Sequence, residues 1–454
     1  MKKIAILVLI LLSRFGRPEA AGQTLPAPPS PVRPVQAPTA RAAAPAVTAL
    51  KAARIFDGRS DRMLENGVVI IEGSRIREVG SGLPIPQGAT ALDLGDATLL
   101  AGFIDCHTHV TQESSDNWLA DFYENLRRPV AEKALFAAGY ARKTVDSGFT
   151  TIRDVGSSDS IDVGLRNAID RGLVTGPRMV VARDAIGATG GHCDRTGFPA
   201  GTFGAESGPE KGIIHGAAQA REAVRLNVKY GADVIKTCAS GGVLSLADDV
   251  AAPQLTDEEL AAIVDEAHRL GRKAAAHAHG DLAARAAVKA GIDSIEHGSF
   301  LTDETLALMK AKGTYLVPTL LAGEWTGGKA EKFPPEIAAK ARAALAARSD
   351  MFRRALASGV KIAFGTDAGV SPHGISAVEF GLMVGLGMSP AAALRAAGPA
   401  AADLIGLGKL IGTLEPGKEA DIVAVPGDPL KDIHVTERVF FVMKGGRILR
   451  YAAH

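Results

Sequence analysis

The chain has 454 residues, 46% of them hydrophobic and 22% charged, and 51 basic against 50 acidic side chains leave a net charge of +1. That balance argues against a nucleic-acid binder working by phosphate neutralisation, and an aromatic content of 5% argues against stacking platforms for single strands. Three Cys exclude a disulfide scaffold and a Cys-rich zinc module.

Lys2 and Lys3 precede an unbroken apolar run of nine residues, Ile4 to Leu12. The run is too short to span a bilayer and fits a signal peptide, so residues 1–21 predict export to the periplasm or beyond. No Cys follows the run, which argues against a lipid anchor, and no membrane contact is expected after cleavage. From Ala21 to Thr48 there are seven Pro, eight Ala and no aromatic residue. Residues 22–48 are therefore expected to be an extended linker, with folding beginning near Ala49.

The next signal is β. Val68-Val69-Ile70-Ile71 and Ile76-Arg77-Glu78-Val79 flank the turn Glu72-Gly73-Ser74. The end of the chain echoes it, with Asp421 to Val425, Val439 to Met443, and a turn at Lys444-Gly445-Gly446 into Ile448. One small domain built from both ends would protect its sheet edges. Residues 49–97 and 405–454 are assigned to this domain, expected to be a β-sandwich.

Residues 98–404 alternate. Apolar strands are predicted at Leu99–Ile104, Thr150–Arg153, Met179–Ala182, Val234–Ile235, Ala274–Ala276, Ser294–Ile295, Tyr315–Val317 and Ile362–Phe364. Alanine-rich helices lie between most of them, including Asp257–Leu270 and Pro335–Ser358. Thr256 and Glu259 have the spacing of a capping box. Eight strands alternating with helices predict an α/β fold, a (β/α)8 TIM barrel.

Polar residues fall where the strands end. Positions two apart in an extended chain share a face, so His107 and His109 in Asp105-Cys106-His107-Thr108-His109 can address one metal ion. A His-x-His alone is weak evidence. Lys236 ends the fourth strand. It either snorkels to the barrel mouth or, with its pKa depressed by burial, reacts with CO2 to give a carbamate able to bridge two cations. The fifth strand runs into His277-Ala278-His279, the sixth into Glu296-His297-Gly298 and the eighth into Thr366-Asp367-Ala368. Catalytic residues of barrels gather at these C-terminal ends.

These segments, with Lys236 and the closing Gly412-Thr413-Leu414-Glu415-Pro416-Gly417-Lys418-Glu419-Ala420-Asp421-Ile422-Val423, resemble the amidohydrolase superfamily in its binuclear-metal class with a carboxylated lysine. Thr150-Thr151-Ile152-Arg153-Asp154-Val155-Gly156 and the stretch Lys236 to Val243 resemble the Xaa-Pro dipeptidase-like and ochratoxin-hydrolysing amidohydrolases. The resemblance covers residues 49 to 450. It implies two divalent ions, Zn2+ by family usage, one held by His107, His109 and Asp367 and the other by His277 and His297. Lys236, carboxylated by CO2, bridges them.

The implied reaction is hydrolysis of a peptide-like amide by metal-activated hydroxide. N-acyl L-amino acids, dipeptides and ochratoxin-like phenylalanine amides are the expected small-molecule substrates. Asp367 acts as the proton carrier, and His279 contacts the substrate oxygen. His192, Arg195 and Ser240-Gly241-Gly242 are candidate donors to the substrate carboxylate. Phe198, Phe300, Leu321 and Trp325 are candidate apolar walls.

The alternatives are another superfamily hydrolase (a lactonase, phosphotriesterase or deaminase) and a non-catalytic binding relative. Lys236 argues against the mononuclear deaminases. The resemblance also implies a homo-oligomer. His215, His268, His373, His434 and His454 receive no catalytic role. Cys106, Cys193 and Cys238 all fall near strand ends and are expected to be free buried thiols.

Overall fold

Strand-forming residues at the start of the folded chain pair first with their neighbours. A computed structural model describes residues 46–115, 117–246 and 248–452. The signal peptide, most of the linker and His454 lie outside the described residues. The described part belongs to one contact unit that runs from Pro45.

β1 (Val47–Phe56) starts two residues before the expected boundary. It pairs antiparallel with β2 (Leu64–Glu72), and β2 pairs with β3 (Arg75–Ser81). Gly73 closes that turn at φ +60°, a left-handed conformation that favours glycine. β4 (Thr90–Asp93) and β5 (Ala97–Ala101) both run parallel to β1.

The strand expected over Leu99–Ile104 is in fact two. β6 (Phe103–Thr108) begins after Gly102, where the chain leaves one sheet for another. The Gly102 N–H donates to Asp421 O at 2.9 Å, and a Cβ there would lie 2.1 Å from Thr150 Oγ1.

β6, β7 (Phe149–Asp154) and β8 (Arg178–Val181) form a parallel sheet. β9 (Gly187–Ala188) and β10 (Ile213–Ile214) make a short parallel pair. β11 (Val234–Cys238), β12 (Lys273–Ala278), β13 (Ser294–His297) and β14 (Tyr315–Val317) form a second parallel sheet. Every residue of β6, β7, β11 and β13 is buried, as expected for strands covered on both faces.

Helices separate most of these strands: α1 (Trp118–Arg127), α2 (Val130–Asp146), α3 (Ile161–Asp170), α4 (Ala217–Lys229), α5 (Asp257–Arg269), α6 (Asp281–Ala290), α7 (Asp303–Lys312), α8 (Leu320–Gly327) and α9 (Pro335–Ser358). The capping box of α5 is present, with Thr256 Oγ1 accepting from Glu259 N and Glu259 Oε2 from Thr256 N.

Ile362–Phe364, the expected eighth strand, is not a regular strand. Single hydrogen bonds hold it on both sides. Leu316 N donates to Lys361 O and Ala363 N to Leu316 O on the β14 side, and Cys106 N to Phe364 O and Asp367 N to His107 O on the β6 side. The left-handed backbone at Asp367, φ +59°, bends the segment out of extended conformation. Between β8 and β11, Asp233 N donates to Val181 O and Ile186 N to Lys236 O. Hydrogen bonds cross these seams without a continuous closed ladder.

β15 (Ile422–Pro426), β16 (Phe441–Lys444) and β17 (Arg447–Tyr451) return to the first sheet, which reads β17-β16-β15-β5-β1-β2-β3 with β4 on β1. The two chain ends meet as expected, but in one eight-stranded mixed sheet where two stacked sheets were expected. β5 is the reason: it pairs with β1 on one side and β15 on the other, so the ladder runs through it. Leu50, Val69, Ile71 and Leu99 share an apolar cluster with Phe441 and Met443.

Candidate metal centre and active site

Six side chains expected at strand ends converge on one cavity: His107 and His109 around the end of β6, Lys236 on β11, His277 on β12, His297 on β13, and Asp367. The cavity has a volume of about 260 Å³. His279 and His192 also line it.

Five of these imidazoles, all but that of His192, have one nitrogen engaged by the protein. His107 Nδ1 lies 2.7 Å from Glu296 Oε2. Glu296 also accepts from Arg153 at 2.8 Å and from the Ser294 hydroxyl, so its remaining oxygen acts as acceptor for His107. The ring proton therefore sits on Nδ1, and Nε2 turns to the cavity with its lone pair free. Carbonyls fix two more rings. Gly156 O is 3.0 Å from His109 Nδ1, and Gly241 O is 3.0 Å from His277 Nε2. Hydroxyls hold the last two, Thr319 Oγ1 on His297 Nδ1 at 2.7 Å and Ser299 Oγ on His279 Nδ1 at 2.8 Å.

Two groups of candidate ligands share the His297 ring, and His109 belongs to neither. His107, His297 and Asp367 present ligand atoms within 4.8 Å of one another, and so do His277, His279 and His297. Asp367 Oδ1 lies 3.6 Å from His107 Nε2 and 3.4 Å from His109 Nε2. His107 Nε2 and Asp367 Oδ1 are buried without a hydrogen-bond partner. Leaving such atoms bare costs about 1–3 kcal/mol each, which a cation would remove.

Burial holds His107, His277 and His297 well below the ordinary histidine range, His109 at about 4 and His279 at about 3. All are neutral imidazoles at physiological pH, the form that ligates metal. Burial lowers Lys236 to about 8 and raises Asp367 to about 7. Lys236 Nζ makes no ion pair or hydrogen bond among the described residues, and a neutral amine is the form that adds CO2. His297 and Asp367 both have positive φ, at 71° and 59°, local strain of the kind that collects at functional sites. The donor set, the bare buried atoms and the neutral rings fit divalent metal ions.

The residues expected to bind substrate divide. His192 is in the cavity wall with its ring centroid 4.2 Å from that of His277 and with Nδ1 unpartnered. Ser240, Gly241 and Gly242 support the histidines instead. Ser240 Oγ accepts from His279 N and donates to Gly241 O. Gly241 N donates to Ala252 O and Gly242 N to Asp248 Oδ2, so these donors are already used. Gly242 is also where the His192 ring packs, 2.1 Å from a Cβ placed there. Arg195 lies outside this cavity, with its guanidinium 4.8 Å from the Phe203 ring centre. Phe300, Leu321 and Trp325 are absent from the wall, and Phe198 borders a neighbouring chamber.

Cys193 and Cys238 are joined in a disulfide with Cα atoms 6.0 Å apart, where free thiols were expected; Cys106 alone is free and buried. The pairing crosses from the loop carrying His192 to the strand carrying Lys236, a proximity that only the fold creates.

Arg348 was not anticipated. It lies on α9, is 7% exposed and lines the cavity. It donates to Leu320 O and Glu324 Oε2, and its Nε has no partner. The signal was present in the sequence: Ala341, Ala344, Arg348, Met351, Phe352 and Ala355 form the buried stripe of α9, and a lone Arg on an apolar stripe needs a reason. Glu296 and Arg153, fully buried and hydrogen-bonded to each other, were likewise given no role.

Residues 98–449 match the amidohydrolase family model. The chain is 33% identical over 425 residues to the ochratoxinase of Aspergillus niger, covering 89% of this chain and 87% of that one. Among solved structures, a Xaa-Pro dipeptidase with bound methionine in the active site superposes with a TM-score of 0.85 at 39% identity, over 89% of this chain and all of the other. A prolidase complexed with N-methylphosphonate-L-proline gives a TM-score of 0.80 at 30% identity, over 89% of this chain and all of that one.

Proposed function

This chain belongs to the amidohydrolase family, and from that premise we propose that it is a metal-dependent hydrolase of amides whose amine side is an amino acid with a free carboxylate. The observation that carries the reading is the pair of buried, unpartnered atoms His107 Nε2 and Asp367 Oδ1, facing each other beside His109 and an unpaired Lys236. His107, His109 and Asp367 would hold one ion and His277 and His297 another, with carboxylated Lys236 between them. Two divalent ions, Zn2+ foremost, supply Lewis-acid polarisation of the carbonyl and a water of lowered pKa. The hydrogen bonds across the three seams support a (β/α)8 barrel as the frame.

The chain's own groups do the rest. Asp367 is the carboxylate positioned to take a proton from the attacking water and return it to the departing amine nitrogen. His279, fixed through Nδ1 by Ser299, turns Nε2 toward the substrate oxygen as a donor. Arg348 is the guanidinium in the cavity wall suited to the carboxylate of the amine side. Val155, Val370 and Leu244 line the same cavity and exclude water.

The test is metal analysis joined to a substrate panel. The protein should carry about two divalent ions per chain, lose hydrolysis of N-acyl amino acids and dipeptides on chelation, and regain it with Zn2+, Mn2+ or Co2+. Full activity without metal refutes the reading. Amidating the substrate carboxylate should lower kcat/KM by more than about tenfold; equal rates would favour an ester or lactone hydrolase.

A further inference from the structure

The donors of the Ser240-Gly241-Gly242 segment are spent on holding the segment in place, and the side chain that anchors it is Asp248. Asp248 has a side chain only 6% exposed, and its carboxylate receives four donors: Gly242 N at 3.1 Å, Ser245 Oγ at 2.7 Å, Gln254 Nε2 at 3.2 Å and Lys340 Nζ at 2.8 Å. None of these partners asks for a proton in return, so the ionised, acceptor-only form satisfies them all. Burial pushes the carboxyl up, but the bonds from Lys340, Ser245 and Gly242 outweigh burial and hold it below the usual carboxylate range.

Two rings of the metal cavity rest on what Asp248 holds. His277 Nε2 donates to Gly241 O at 3.0 Å; a carbonyl only accepts, so the ring proton sits on Nε2 and Nδ1 keeps the free lone pair. A Cβ on Gly241 would lie 2.0 Å from Asp249 O, so the peptide reaches this place only as glycine. His192 packs its ring on Gly242, and its N–H donates at 2.8 Å to Gln254 Oε1, of the same amide whose Nε2 reaches Asp248. Lys340 closes the arrangement from α9, with Nζ also donating to Ser245 O at 2.6 Å. It lies about two turns before Arg348, and its side chain is 11% exposed. A pair this buried cannot lose one member without leaving the other charge uncompensated.

We propose that Asp248 is a positioning residue of the metal centre: paired with Lys340, it holds the Gly241–Gly242 peptide, and through that peptide fixes the tautomer of His277 and the seat of His192. The proposal rests on the amide-hydrolase reading above, in which His277 is a metal ligand. A His277 ring released from Gly241 O carries its proton on either nitrogen, and the wrong tautomer turns an N–H where a lone pair is needed. One helix, α9, then serves the cavity twice, presenting Arg348 in its wall and bracing the loop behind His277 through Lys340.

The experiment uses Asp248→Asn, Lys340→Met and the double variant, each as full-length apo protein. Co2+ titration against a competing chelator reads metal affinity, and histidine-selective 15N spectra read the His277 tautomer, its signal identified by its loss in His277→Gln. Each single variant should bind one of two Co2+ equivalents about tenfold or more weaker and leave the other within about twofold. His277 should pass from a single Nε2–H tautomer to a mixture. The double variant drops both charges and keeps an oxygen for Gly242 N, so it should return to within about threefold of the native affinity and to the single tautomer. Should either single variant fail to fold, the other reads the same quantities. A single variant that melts lower yet keeps both Co2+ equivalents and one His277 tautomer reduces the pair to a structural tie and overturns the proposal. If the native protein binds no Co2+, the hydrolase reading fails, and the 15N spectra still decide whether Asp248 sets the His277 ring.

Discussion

Glu296 shows how a residue without contact to substrate governs the site. Its carboxylate sets the proton of His107 on Nδ1 and is itself held by Arg153, which also donates to Cys106 O on β6. One buried ion pair therefore fixes the tautomer of a proposed ligand and the strand that carries it. Glu296→Gln should keep the fold but lower metal affinity by about 10–100-fold, since an amide no longer orients the ring as firmly. Metal titration of the apo variant reads this directly, and an unchanged affinity would make Glu296 merely structural. The paired histidines give a second test. His277→Ala should lose metal, whereas His279→Ala should keep metal and lose kcat by about 10–1000-fold. The reverse pattern would exchange their roles, and the grouping of both rings with His297 makes that exchange a real alternative. Much of this site was legible because its proposed ligands lie in or just after predicted apolar strands. Arg348 and the acceptor roles of Ser240 and Gly241 were not, because α9 and the Ser240 loop reach the cavity only through tertiary packing.

At the scale of elements, two devices hold loops to the scaffold. The first is the Cys193–Cys238 disulfide, which closes a separation of 45 residues. A loop of that length stabilises by about 4 kcal/mol in the chain-entropy model. The paired Cys193→Ser and Cys238→Ser variant should lose stability of that order in urea unfolding, and native protein that titrates three free thiols would dispose of the bond. A disulfide suits an oxidising compartment and supports the export proposed from residues 1–21. The second device is Glu379, buried and accepting from Leu320 N and Leu321 N in the first turn of α8, whose N-cap Thr319 makes no side-chain cap bond. Burial raises Glu379 from 4.5 to about 8 against those donors and Arg348. Between these values the folded state binds a proton that the unfolded state does not, so this group's contribution is fully present below about pH 4.5 and is lost as pH rises through about 8. The stability of the native protein relative to Glu379→Gln should therefore fall from pH 5 to pH 8. A difference independent of pH in calorimetry would show that Glu379 stays charged.

For the whole molecule, function and cohesion sit at opposite ends of the same strands. The proposed histidine ligands and His279 lie at or just beyond the C-terminal ends of β6, β12 and β13, Lys236 lies midway along β11 and Asp367 follows the irregular Ile362–Phe364 segment, whereas the ties between the two chain ends gather at the strand starts. Sequence pattern anticipated that the ends would meet, because both carry alternating apolar strands and hairpin turns. It could not reveal that β5 would join them into one sheet, since pairing partners are chosen among distant strands of similar composition. Asp421 is the main knot. It is 4% exposed, it pairs with Arg178 at the first position of β8, its Oδ1 accepts from Gly445 N at 2.7 Å, and its carbonyl accepts from Gly102 N. Arg178 is 22% exposed, so part of its charge is met by water and the loss is less than for a fully buried pair. Asp421→Ala should then cost about 2–4 kcal/mol, and Asp421→Asn, which keeps an acceptor for Gly445, about 1–2 kcal/mol. Because every partner of Asp421 is remote from the cavity, the surviving native enzyme should keep its KM and metal content. A variant of unchanged melting temperature with a large loss of kcat would show that the two ends of the strands are coupled after all.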